Sequence, residues 1–348
     1  MRQGLTLLEV AVGLLCLLIL IGLMLPAVRS AREAARRMAC SNNLKQTVLA
    51  INSYHDAFQR LPCAMAGTGV ATSELLGNAN RLSGFVALLP YLEQVRLWER
   101  IESPLEVNDM SYPAMGPAPW VETYPPWNAS IPTLLCPSSI APARPIPTTN
   151  YAFCIGDVTE QLHAPTTARG AFACGQFTRL EDITDGTSHT IAFGEIGNVQ
   201  ARTKIGQVAV NQAPAILTNP SLCLNSAQDK NFQADIPLSR FGRGGRWTDG
   251  AAPYGLFATI LAPNSSSCSV GEEETADGIY SSGSHHTGGI QAAMADGSVH
   301  FISQQIDVGD STLPPPTTTQ FGQQPTPSPY GVWGALGTRD AGDVPQVD

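Results

Sequence analysis

An α+β fold is predicted: one long N-terminal helix, half sized for a membrane and half packed on a head, followed by a mostly antiparallel β head with long loops. Three observations lead there. Val10 to Val28 is a run of 19 residues without a charge, about 28 Å of helix at roughly 1.5 Å per residue, close to the ~30 Å hydrocarbon core of a bilayer. Apolar residues then recur at three- and four-residue steps through Val28, Ala31, Ala35, Met38, Leu44, Val48, Ile51 and Phe58, the period of one helix face. Past Pro62 the texture changes to short apolar runs broken by Gly, Pro, Asn and Ser, the pattern of short strands between loops.

Taken in order, the stem covers residues 5–60 with its transmembrane part at 10–28, and the head covers 61–348. Pro26 lies inside the stem pattern, where its missing N–H bends a helix. His55, beside the apolar stripe, reads as a core or capping histidine. "GFVALLPYLEQVRLWERI" predicts a brief helix between Ser83 and Ile101, and Met110 to Pro132 reads as a proline- and aromatic-rich loop. Strands are predicted at Asn150 to Ile155, Gly170 to Phe177, Thr190 to Glu195, Gly206 to Val210, Gly255 to Ala262, Gly289 to Ala295 and Ser298 to Ser303. In "GIQAAMADGSVHFIS", Asp296-Gly297 separates two apolar runs, which predicts a tight hairpin with a type I′ turn. The proline-rich loop 312–330 is low in complexity and reads as extended chain.

Composition excludes several classes. Charged residues make up only 14% of the chain, against roughly 25% in soluble domains. The net charge of -9, with lysine only at positions 45, 204 and 230, argues against a nucleic-acid surface, which needs clustered cations. Eight cysteines are dispersed without a CxxC or CxxxC pair, a spacing that favours disulfides in an oxidising compartment over a zinc knot. Cys16 falls within the apolar run and leaves seven for the head.

No nucleophile–base pair stands out, so no enzyme is expected. "GDS" at Gly309 is not the G-x-S-x-G of a nucleophile elbow, and "GRGGRW" at Gly242 lacks the Lys-Ser/Thr of a phosphate loop. Adjacent His285 and His286 in an extended chain point to opposite faces and would not share an ion. No metal is expected there: His286 is taken to bond the turn or a nearby carbonyl, and Asp296 to serve the turn. "EDITDGTSHT" offers Glu181, Asp182, Asp185 and Thr187 as oxygen ligands for calcium, without the spacing of a calcium loop. Trp120, Trp127 and Trp247 suit either core packing or a carbohydrate surface.

One feature of the N-terminus remains: Glu9 puts a carboxylate at the edge of the apolar run, where it calls for a partner. Gly4-Leu5-Thr6-Leu7-Leu8-Glu9 resembles the type IV prepilin signal. That resemblance implies a leader of residues 1–4, cleavage between Gly4 and Leu5 by prepilin peptidase, methylation of Leu5, and a Glu9 that neutralises the terminal amine of a neighbouring subunit. Leu5 stands where the family usually has phenylalanine. The implied topology is one pass through the inner membrane, N-terminus cytoplasmic and head periplasmic or extracellular. A count of positive charges opposes it, since Arg29, Arg32, Arg36, Arg37 and Lys45 all follow the span.

His286 precedes Asp296-Gly297 by nine residues. This H-x9-DG arrangement, with "CSNNLKQ" at Cys40, "SYHD" at Ser53, "LLPYLEQ" at Leu88, "LLCPSS" at Leu134, "ITDGTSHTIAFGE" at Ile183, "ILAPNSSSC" at Ile260 and "GVWGALGTRDAGDV" at Gly331, resembles the DUF1559 family almost end to end. The resemblance implies a pseudopilin-like, membrane-tethered exported protein and supplies no catalytic mechanism. The expected disulfides are Cys40 with Cys136, tying stem to head, and Cys223 with Cys268, with Cys154 and Cys174 next. Other pilin-like subunits are the expected partners; a tethered module that captures a solute or glycan is the alternative.

Overall fold

The computed structural model describes residues 7–139, 142–165, 168–316 and 326–343. The cleavage residues Gly4 and Leu5, and residues 317–325 of the proline-rich loop, therefore lie outside the described residues.

A single helix runs from Leu7 to Phe58, 52 residues, or about 78 Å. It continues through Pro26. Its first half contains an 18-residue window of mean hydropathy 2.8 with none of its residues buried, compatible with a single membrane span or a signal sequence. Its second half buries Cys40, Leu44, Thr47, Val48, Ala50, Ile51 and Tyr54, spaced three and four apart so that they form one stripe against the head.

The head is built on a five-stranded sheet in the order Leu256–Phe257, Tyr151–Cys154, Ile191–Glu195, Gly289–Met294, Val299–Ser303. The first pair is parallel and the others antiparallel. Side-chain alternation gives the sheet two apolar faces. Tyr151, Phe153 and Phe193 join the stem's Leu44, Val48 and Ile51 and also Phe85 in one core. Ala152, Cys154, Ala292 and Ile302 pack on the other side with Trp333 and Leu336 of a C-terminal helix, Gly331–Gly337. Burial on both sides fits strands that read as continuous apolar runs.

The predicted helical stretch at Ser83 to Ile101 is present as Gly84–Leu88, a 3₁₀ turn at Leu89–Leu92 and Val95–Glu102. Ser83 caps the first piece by accepting from the Phe85 N–H, as N-cap serines do. Gly170 to Phe177 is not a strand. Its backbone changes partners along its length: Gly170 donates to Ile155, Phe172 to Cys154, Ala173 accepts from Ala64, and Gly175 donates to Met65. Such a segment stitches two regions and forms no ladder.

The terminal hairpin pairs Gly289 with Ser303 through Ala293 with Val299. Its turn differs from the type I′ expectation. Met294 donates to Ser298 and Gly297 to Met294, which encloses three residues, and only Gly297, at φ +94, takes positive φ. This is the three-residue hairpin with a left-handed glycine; Asp296 instead accepts from the Ser298 N–H at 2.8 Å.

Candidate functional site at the stem and head junction

The stem and head are joined covalently. Cys40, in the middle of the stem helix, is disulfide-bonded to Cys136 with a Cα separation of 5.4 Å. Cys136 ends the short "LLC" turn, and its N–H donates to Asn150 Oδ1 at 2.9 Å. A second disulfide joins Cys223 to Cys268 within the head. Cys154 and Cys174 are not joined: both are free and buried, and they belong to different apolar clusters, one on either side of the sheet. Alternation along Tyr151–Cys154 turns Cys154 away from the face that Cys174 packs against.

His286 sits on the first disulfide. Its Nε2 lies 3.3 Å from Cys40 Sγ, 3.4 Å from Cys136 Sγ and 3.5 Å from Glu195 Oε1, while Nδ1 lies 2.7 Å from Glu33 Oε1. The imidazole is therefore flanked by a carboxylate from the stem and one from the central strand. This corrects the expectation that it serves the turn or a carbonyl. His285 reaches the Asn198 carbonyl at 3.3 Å instead.

Burial alone would favour neutral imidazole at His286, but Glu195 and Glu33 outweigh it and hold the ring above its ordinary value. Partial burial raises the Glu33 carboxyl, and the bonds from His286 and Arg36 more than reverse this, leaving it below the usual range. Arg36 reaches Glu33 at 2.6 Å, and Arg37 donates to the Thr287 carbonyl at 2.8 Å. Burial depresses His285.

The nine-residue spacing has a physical reading. From His286 the strand Gly289–Met294 runs along the stem helix, and at its far end a side chain at Gly297 would meet Val48 and Asn52 at 3.6 and 3.7 Å. The turn is also tied to the 183–190 loop, Asp296 donating to the Thr187 carbonyl and Ala295 to that of Thr190. One end of the motif thus grips the stem near Glu33 and Cys40, and the other rests at Val48 and Asn52, about two to three turns beyond Cys40. A change in spacing would release one end.

The other sequence candidates are placed as follows. Asp185 is nearly buried and accepts from the Ala341 and Gly342 N–H groups at 2.7 and 2.9 Å, Glu181 pairs with Arg179 at 2.8 Å, and Asp182 accepts from the Arg179 N–H. These oxygens hold the chain together and do not converge. Trp127 and Trp247 are buried edge to face at 6.2 Å, whereas Trp120 lines an open groove of about 630 Å³ with Arg144, Arg240, Phe241 and Arg246. "GRGGRW" is a structural plug: the buried Arg243 donates to the carbonyls of Ala252, Pro253 and Leu256. Glu9 is exposed on the outer stem.

Sequence reasoning missed Glu33 and Glu195. Both left a trace. Glu33 stands seven residues before Cys40, two turns up the same helix face, and Glu195 is the last residue of "ITDGTSHTIAFGE".

Fold and site together define a class: a helix-stemmed protein whose β head is locked to its stem by a disulfide and a histidine set between two carboxylates. The chain belongs to the DUF1559 family, a family of unknown function also called SBP_bac_10, whose profile matches residues 29–309. No curated protein and no solved structure matches it.

Proposed function

We propose that the protein is a pseudopilin-like, membrane-anchored structural subunit of a type IV pilus or type II secretion-like system. The observation that carries this reading is the outer stem: from Leu7 to Val28 every large apolar residue is exposed around the whole helix, a surface that asks for lipid or for other stems. After cleavage between Gly4 and Leu5 and methylation of Leu5, lateral packing of these stems drives assembly. Glu9 meets the new amine of a neighbour, an opposite-charge pair that favours close packing of stems in lipid, where a charge costs about 2.5 to 3.5 kcal/mol at the helix centre. Two disulfides support a head outside the cytoplasm.

Glu9→Ala is expected to leave membrane insertion intact and to abolish co-isolation with other stems; normal assembly of the variant would refute the pairing. Mass spectrometry of the native N-terminus is expected to find a chain beginning at methylated Leu5. An intact Met1, or a cut near residue 28, would instead mark an uncleaved anchor or an ordinary signal sequence. A second reading, a tethered binding module, is favoured by the groove beside Trp120 and three arginines. Saturable glycan binding by the full chain would support it.

A further inference from the structure

We propose that reduction of the Cys40–Cys136 disulfide converts the stem–head junction into a tetrahedral site for a zinc-like divalent cation, held by the two sulfurs, His286 Nε2 and Glu195 Oε1. The inference goes beyond the assembly role and does not depend on it.

The geometry is close to that of such a site before any ion arrives. Donors placed about 2.0 to 2.3 Å from a central ion lie roughly 3.3 to 3.8 Å from one another along the edges of the tetrahedron. Three edges already have that length: Nε2 to Cys40 Sγ at 3.3 Å, Nε2 to Cys136 Sγ at 3.4 Å and Nε2 to Glu195 Oε1 at 3.5 Å. All four donor atoms lie within 4.8 Å of one another. The sulfurs must separate, and the 5.4 Å between their Cα atoms leaves both within reach of a common centre. Two sulfurs, an imidazole and a carboxylate are a donor set suited to zinc.

A second, independent observation concerns Glu195. Its side chain is 2% exposed, and Oε1 makes no regular hydrogen bond among the described residues, facing His286 Nε2 only at 3.5 Å. A buried carboxylate oxygen without a donor is costly, and this one is aimed at the disulfide and the ring. A void of about 10 Å³ lies beside Glu195 and Cys136, lined also by Asn150, Ser284 and His285, about the space of one water. The supporting contacts also fit. His286 Nδ1 is bonded to Glu33 Oε1 at 2.7 Å, and Glu195 Oε2 accepts from the Gln291 N–H at 2.8 Å; carboxylate–histidine pairs of this kind orient metal-bound imidazoles. His286 also borders an open groove of about 560 Å³ shared with His285, Lys204 and Lys230, though its side chain is itself buried.

The chemistry balances with a dithiol reductant. Thiolate attack of the reductant on one sulfur breaks the Cys40–Cys136 bond, and the mixed disulfide is resolved by the reductant's second thiol. Two electrons pass to the protein, the reductant leaves as its own disulfide, and Cys40 and Cys136 become thiols. The divalent cation then displaces both thiol protons, and the Nε2 proton where the ring carries one. Reoxidation by a disulfide oxidant reverses the exchange: one thiolate attacks the oxidant's disulfide, the second resolves the mixed disulfide, the oxidant leaves as its dithiol, and the ion is expelled.

The experiment uses the full chain in detergent micelles, oxidised or reduced, with excess reductant removed and Co²⁺ added as a spectroscopic probe. The reduced chain is expected to take up one equivalent, with thiolate-to-cobalt charge-transfer bands and the visible bands of a tetrahedral ion, and zinc should displace it. The oxidised chain should give neither. Glu33→Gln, which leaves all four donors in place, is expected to weaken uptake about 10- to 100-fold at unchanged stoichiometry; Glu195→Gln should shift the visible bands. Equal uptake by both redox forms, or uptake that survives Cys40→Ser/Cys136→Ser, would overturn the proposal. So would a reduced chain that keeps its near-ultraviolet dichroism yet binds no cobalt. A chain that unfolds on reduction and is not restored by the ion counts against it equally, because a preformed site is what is proposed.

Discussion

The two halves of the stem helix share one backbone and face two different surroundings. In the outer half Leu14, Leu18 and Leu23 are 56%, 65% and 68% exposed, while in the inner half Cys40 and Leu44 are fully buried. The outer half is apolar all round, which suits lipid or neighbouring stems; the inner half is apolar along one stripe, which suits a single head. Between them lies a collar of Arg29, Arg32, Glu33, Arg36 and Arg37. Glu33, in that collar, is also the residue that reaches His286. The change of surroundings and the fastening of the head therefore occur within three turns of helix.

If the halves differ in this way, equal deletions should have unequal effects. Leu44→Ala is expected to cost about 2 to 5 kcal/mol of head stability through the cavity it leaves. Leu17→Ala, which removes the same atoms from the outer half, should change it by no more than about 0.5 kcal/mol. Denaturant unfolding of the full chain in micelles reads both. A comparable loss at Leu17 would mean that the outer half also folds onto the head.

The disulfide sharpens the comparison at the point where stem meets head. Replacing Cys40 and Cys136 together by alanine is expected to cost about 2 to 4 kcal/mol. Because the pair is separated by 96 residues against 45 for Cys223 and Cys268, its loss should exceed that of the other pair by about 0.7 kcal/mol if loop closure in the unfolded chain dominates. Thermal unfolding of the two double variants distinguishes this from the reverse order, which would place the larger contribution inside the head.

Much of this arrangement was legible in the sequence because it rests on local periodicity. The uncharged run, the three- and four-residue stripe and the apolar runs at Asn150 to Ile155, Thr190 to Glu195 and Gly289 to Ser303 needed no knowledge of distant contacts. The failures have a common cause. Gly170 to Phe177 has strand composition, but its hydrogen bonds go to two regions more than 80 residues apart, which composition does not encode. The turn at Asp296-Gly297 holds three residues, and its Ala295 N–H is bonded to the distant Thr190 carbonyl. His286 was legible as a motif residue and illegible as the centre of a cluster, since its partners lie 253, 246, 150 and 91 positions away.

The smallest expected effect tests whether the collar itself contributes to the fastening. In the disulfide form His286 is faced by Glu33 from the stem and Glu195 from the central strand, with Arg36 and Arg37 on the far side of Glu33. The ring is held above its ordinary 6.5, so its contribution is full below that value and is lost as pH rises through the raised one; Glu33 is held below its ordinary 4.5, so its contribution is full above that value and is lost as pH falls through the lowered one. The junction should be tightest between about pH 4.5 and 6.5. Because Glu33 is partly exposed and keeps its arginines, Glu33→Gln is expected to cost only about 1 kcal/mol in that window. A double-mutant cycle with His286→Gln assigns the loss to the pair: a coupling near zero at pH 5.5 would leave the disulfide and the apolar stripe as the fastening, and a coupling that weakens toward pH 8 would place the imidazolium in it.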